Sequence, residues 1–185
     1  MKKSRYIPFF AVLISIFCLH QVAMAESKKQ LPIQEQSIQV SIWEPLQLYK
    51  PETSIKGFRL NLLYGVNKNV SGIDMGLVNR TDGNFHGLGF GFANMVGGRS
   101  NGLQTGIYNS SGELEGIQVG LGNITSGKAR GVQLGIVNHS GDFSGLQMGL
   151  LYNSADVLHG LQIGLFNMNW SGKPISFLPI VNFSY

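Results

Sequence analysis

The amino-acid sequence predicts an all-β chain, a single domain built as a β-repeat array, and three observations predict it. The first is recurrence. The stretch GLQIGLFN at Gly160–Asn167 has near-copies starting at Gly72, Gly87, Gly102, Gly116, Gly131 and Gly145, a looser copy at Gly57 and a degraded one at Pro174. Successive starts lie 15, 15, 15, 14, 15, 14, 15 and 14 residues apart. A period so short and even is smaller than a domain and implies one stacked array. The second is alternation: Leu161, Ile163 and Leu165 stand against Gly160, Gln162, Gly164 and Phe166, the period of a strand. Two glycines in every eight residues would cost a helix roughly 1 kcal/mol each. The third is punctuation by polar turns, such as Arg80–Gly83, Ser110–Gly112, Thr125–Gly127, His139–Gly141 and Trp170–Gly172. Glycine there supplies the positive φ that tight turns need.

Taken in order, Met1–Ala25 reads as a secretory signal. It has a basic start (Lys2, Lys3, Arg5), an apolar run through Ile7–Leu19, and small residues at Ala23 and Ala25 before the cleavage point. Residues 26–36 are a polar, flexible lead-in. Ser37–Trp43 alternates Ile38, Val40 and Ile42 with Ser37, Gln39 and Ser41, a half-buried strand. Glu44–Lys56 carries Pro45 and Pro51 and forms an irregular connection. The repeats then run to the C-terminus, so residues 37–185 form the β-repeat domain.

Two architectures use such a pattern. In a β-solenoid of about nine coils of 14–15 residues, each unit is one coil and like residues stack on like. In a ten-stranded antiparallel barrel of outer-membrane type, each unit is a strand and a turn. The solenoid is favoured on dimensions. The aliphatic positions of a unit span about 13 Å at about 3.3 Å per residue, whereas an outer-membrane barrel needs an apolar band of about 25 Å. Pro179 would also deprive a closing barrel strand of a donor, while the last coil of a solenoid tolerates it. Asn79, Asn94, Asn109, Asn123, Asn138, Asn153, Asn167 and Asn182 recur at nearly one offset, as a stacked amide ladder requires. On this reading the aliphatic stripe fills a dry interior, with Leu146 and Leu161 pointing into it. Phe85, Leu114, Ala129, Phe143 and Leu158 join them from a third segment. The Gln row (Gln104, Gln118, Gln133, Gln147, Gln162) takes the opposite, solvent-facing side. The Gly57 unit, with Asn61 in place of the second glycine, reads as a capping repeat.

Composition narrows function. The whole chain carries a formal charge of +4, but three of its 14 basic residues lie in the signal, leaving 11 against 10 acidic ones, or +1. Basic residues are scattered, so the footprint of a nucleic-acid binder is missing. The only cysteine, Cys18, lies in the signal, and a mature chain therefore carries no thiol. Gly87–Gly91 (GLGFG) falls within a strand pattern with no helix to follow, unlike a phosphate-cradling loop. His86, His139 and His159 are dispersed. So are Asp74, Asp82, Asp142 and Asp156, while Glu113 and Glu115 share a turn. All read as surface charges, with no catalytic, cofactor-binding or metal-binding constellation.

Tandem GLQ-x-GL-x-N units, the opening Leu60-Asn61-Leu62-Leu63-Tyr64-Gly65 and the closing Leu178-Pro179-Ile180-Val181-Asn182 resemble a bacterial family of surface-repeat-containing proteins, over roughly Ser37 to Tyr185. The resemblance implies an exported protein of a Gram-negative-type envelope and carries over no active site. The expected function is therefore a non-enzymatic structural or binding element of the cell surface, outer membrane or periplasm. No cofactor, metal or nucleic acid is expected, and the partner belongs to the envelope or surface. The barrel alternative would be a pore or envelope anchor.

Overall fold

Residues one repeat apart lie side by side. A computed structural model describes residues 34–185, so the expected signal and most of the lead-in fall outside the described residues. The elements are β1 (Glu35–Trp43), β2 (Leu46–Gln47), β3 (Ser54–Asn67), β4 (Val70–Thr81), β5 (Phe85–Thr105), β6 (Tyr108–Val119), β7 (Gly122–Thr125), β8 (Ala129–Asn169) and β9 (Phe177–Ser184). They form one sheet that follows chain order from β1 to β9, with β2 on the outer edge of β1. From β1 to β8 every inter-coil pairing is parallel, and Gly57 faces Gly72, Gly72 faces Gly87, Gly102 faces Gly116, and Gly116 faces Gly131. The fold is a β-solenoid of about seven turns. The antiparallel barrel is not what the chain forms.

The glycine that opens each unit explains the regularity. Gly57, Gly72, Gly87, Gly102, Gly116, Gly131, Gly145 and Gly160 have φ between +130° and +156°. L-residues rarely adopt that region. A Cβ at any of them would also overlap backbone of the previous coil, at Gly116 the carbonyl oxygen of Gly102. Stacked glycines thus let the backbones of neighbouring coils approach closely where each unit opens.

Both ends depart from the repeat. At the N-terminus β1 is a first partial coil, paired in parallel with β3 and covered on its free edge by antiparallel β2. At the C-terminus the unit expected to be a last coil instead folds back, and β9 pairs antiparallel with β8. Pro179 lies in the irregular stretch between the Leu178–Asn167 and Ile180–Gly164 pairs, where no ladder donor is demanded. Each end of the array therefore carries a reversed strand, the two-residue β2 against Ser41 and Trp43 and the longer β9 against Gly160–Met168, which blunts it against edge-to-edge growth.

The faces are the reverse of those expected for the aliphatic and Gln rows. Gln104, Gln118, Gln133, Gln147 and Gln162 are at most 1% exposed, whereas Leu165 is 49% and Leu150 71% exposed. Leu146, Leu161 and Ile163 are only half-buried, on the outer surface. In β1 the buried residues are Gln39 and Ser41, while Ile38, Val40 and Ile42 face outwards. The reason lies at the bend: Leu165 and Phe166 are both exposed, so alternation breaks there. Gln162 and Asn167, five residues apart, consequently both point inwards. The third-segment residues behave as expected: Phe85, Leu114, Ala129, Phe143 and Leu158 are all buried.

Candidate binding surface

The interior is a set of four threads, one apolar and three polar. The Asn thread runs without a break. Each Nδ2 donates to the Oδ1 of the next coil, from Asn61 through Asn79, Asn94, Asn109, Asn123, Asn138 and Asn153 to Asn167, at 2.8–2.9 Å. The second N–H of Asn79, Asn94, Asn109, Asn123 and Asn153 donates to a backbone carbonyl at 2.8–3.0 Å. The Gln thread runs the other way: Gln118, Gln133, Gln147 and Gln162 each donate to the Gln of the preceding coil at 2.8–2.9 Å. Hydroxyls of Ser111, Thr125 and Ser140 form a third thread that bonds to the Gln amides. Buried amides cost little when every donor and acceptor finds a partner. Coil stacking supplies that partner along both threads, whereas Asn182, expected to extend the Asn ladder, lies in antiparallel β9 and is buried with neither side-chain atom bonded.

The same logic explains the odd first repeat. Asn61 sits opposite Gly76 in register, and a Cβ at Gly65 would overlap the Asn61 amide. Asn61 thus reaches into the slot Gly65 leaves open and begins the Asn thread.

The Gln position of the first coils holds charges instead. Arg59 is 0% exposed and donates from Nε and Nη2 to the two carboxylate oxygens of Asp74 at 2.7 and 2.6 Å. Its remaining N–H groups reach Asn67 Oδ1, the Arg80 carbonyl and Thr81 Oγ1 at 3.3, 2.8 and 3.2 Å. All five guanidinium donors are thereby used. Asp74 is therefore no surface charge; it is a buried partner. One coil further, Gly89 has no side chain to continue the row, and the ring of Phe85 lies beside the vacated place. A void of about 10 Å³ remains between Asp74, Thr81, Gly89 and Gln104, about the room of one water molecule. This cluster braces the first coils and touches no outside solvent.

Along the repeats the other charged residues stay on the turn ridge and the third face, while Glu44 is exposed next to Trp43 in the first partial coil. His86, Glu115, Arg130 and His159 are exposed. Arg99 and Glu113 pair at 2.8 Å across adjacent turns, beside an open groove of about 550 Å³ floored by Gly97, Gly98, Gly112 and Gly127. No group of three or more metal-ligating side chains is found among the described residues. GLGFG at Gly87–Gly91 lies within β5, and its first and last glycines pair with Gly72 and Gly76.

What remains is the outer surface. Ile73 and Met75, Leu88 and Phe90, Ile117 and Met148 are all 37–43% exposed along one flank. Leu77, Phe92, Ile107, Leu121, Leu150 and Leu165 stand 41–71% exposed along the bend. Past the bend the surface stays apolar at Tyr108, Val137, Leu151 and Phe166. One flank alone measures about 13 Å by about 34 Å, taking about 3.3 Å per residue and about 4.8 Å per strand. Contiguous exposed apolar surface beyond a few hundred Å² marks an interaction site.

Reading the aligned units as columns would have exposed the ion pair, since Arg59 and Asp74 are opposite charges one coil apart in a column that holds Gln from Gln104 onwards. The apolar exterior had one signal, the run of five Gln from Gln104 to Gln162: a solvent-facing row is free to vary to Lys or Glu, and this run does not. No known protein family, characterised protein or solved structure matches the chain.

Proposed function

We propose that this chain is an exported, non-enzymatic element of a bacterial envelope, a rigid scaffold that binds through its apolar outer surface. The observation that carries the reading is the polarity of the solenoid: amides are bonded coil to coil inside, and aliphatic and aromatic side chains stand outside in rows. Such a surface is costly in water and is accounted for by a partner that covers it. The basic start, apolar run and small-residue cleavage site of residues 1–25 support export. The resemblance of the GLQ-x-GL-x-N units to surface-repeat-containing proteins supports an envelope address.

The test is fractionation. The full chain, expressed in a Gram-negative host, should be recovered from the envelope fraction beginning at Glu26, and detergent should increase its yield. Recovery from the cytosol with residues 1–25 intact would overturn the proposal.

A further inference from the structure

The geometry points to lipid acyl chains as the occupant of the apolar surface: the solenoid lies on a bilayer with its bend, the row from Leu77 to Leu165, immersed. This rests on the envelope reading above and names the partner. Three features select lipid over a protein partner. The first is shape. The apolar rows occupy a convex edge and both flanks beside it, with exposure of 55% at Phe92 and 71% at Leu150 on the edge itself. A second copy could seat on one flank at a time. That flank's footprint of about 440 Å² is well below the roughly 800 Å² per partner of a stable interface. Fluid chains conform to an edge and cover both sides.

The second feature is the backbone. Hydrocarbon tolerates only structures whose backbone polar groups are satisfied internally. Along the array each coil hydrogen-bonds to the coils before and after it; at the ends β9 covers Gly160–Met168, and the short β2 covers the Ser41–Trp43 stretch of the first partial coil, the part at the bend. The third is where the charge sits. The turn ridge and third face hold the Arg99–Glu113 pair, Glu115, Arg130 and His159, away from the bend. That face stays in water while the edge enters the membrane, the arrangement of a monotopic surface element.

The experiment is flotation of the purified exported chain with phosphatidylcholine vesicles. The wild-type chain should rise with the vesicles. Replacing Phe92→Asp together with Leu150→Asp should lower the bound fraction about tenfold, with the circular-dichroism spectrum unchanged because both side chains point outwards. Arg130→Ser with His159→Ser, on the third face, should float as wild type. If the edge variant fails to fold, Trp170→Phe leaves Trp43 as the only tryptophan, at the bend of the first partial coil. Its fluorescence should be quenched by vesicles with brominated acyl chains. A wild-type chain left at the bottom of the gradient, an edge variant that floats normally, or an unquenched Trp43 would overturn the lipid assignment. So would a dimer in sedimentation that the edge substitutions dissolve, because a second copy would then be the occupant. An envelope-located chain that ignores vesicles leaves the broader function standing. A cytosolic chain that floats leaves only the lipid surface.

Discussion

Replacing Asn123 with Leu should damage this protein more than replacing Leu121 with Asn, the opposite of what a conventional core would give. Asn123 is 0% exposed and takes part in three hydrogen bonds. Its Oδ1 accepts from Asn109 at 2.9 Å, and its Nδ2 donates to Asn138 Oδ1 and the Leu134 carbonyl, both at 2.8 Å. Leucine would leave an Asn109 donor, an Asn138 acceptor and a backbone carbonyl unpaired in a closed interior. At about 1–2 kcal/mol for each buried group left without a partner, the loss is about 3–6 kcal/mol. A chain of this size loses about 2–4 °C of melting temperature per kcal/mol, so the expected drop is about 6–24 °C. Leu121 is 53% exposed, and its replacement by Asn should shift stability by no more than about 0.5 kcal/mol. Thermal and urea unfolding followed by circular dichroism would measure both. If Asn123→Leu melts at or above wild type while Leu121→Asn collapses, the interior is apolar and the assignment of faces is wrong.

Other substitutions probe the remaining devices. Gly116→Ala forces a Cβ onto φ +147° and against the Gly102 carbonyl, and should cost at least about 3 kcal/mol in urea unfolding. Arg59→Gln alone leaves the Asp74 carboxylate buried without its guanidinium and should cost about 3–5 kcal/mol. Adding Asp74→Gln should recover most of that by continuing the Gln row, and a double-mutant cycle would read the coupling. Deleting Gly131–Ser144 removes one repeat and brings Gly145 onto Gly116. The shortened chain should keep its strand signal by circular dichroism and melt only a few degrees lower, whereas loss of that signal would argue against independent coils. Burial pushes the Tyr64 phenol above its ordinary value, against a smaller opposing pull from Arg80. The neutral phenol is therefore the form the fold favours. Its contribution is whole below about pH 10 and is lost as pH rises beyond it. Tyr64→Phe should flatten that alkaline limb of a stability–pH curve.

Much of the solenoid was legible because stacking leaves a mark on sequence. The glycine that opens each unit, the Asn column and the buried run from Phe85 to Leu158 recur at fixed offsets for physical reasons that act on each coil alike. Which face turns inwards was not legible from alternation alone. A period of two offers two solutions, and the choice is made at Leu165 and Phe166, where one extra outward residue reverses parity. Hydropathy then misleads, because it ranks Leu161 above Gln162 for burial and takes no account of the partner each amide meets in the next coil. The ends were less legible still. Pro174–Asn182 retains enough of the repeat to look like a coil, yet β9 runs antiparallel, a reversal that no local pattern in the unit announces. The residues of the outer surface are visible in the sequence as a set, but their hydropathy points to the core.

The opposed directions of the Asn and Gln threads bear on how long such a molecule can be. A column of aligned amides is a row of dipoles, and one column alone would build up partial charge at its tips as it lengthened. Here the Asn N–H groups point towards the C-terminus and the Gln N–H groups towards the N-terminus. From Gln104 to Gln162 the two polarisations offset each other coil by coil, whereas in the first coils, where Arg59, Asp74 and Gly89 stand in place of Gln, the Asn thread runs alone. Each thread ends on a lone acceptor, Asn61 Oδ1 at the start of the first and Gln162 Oε1 at the end of the second. Adding or removing a repeat between Gln104 and Gln162 adds or removes one link of each thread alike, so the copy number of that part of the array can change without disturbing its polar interior.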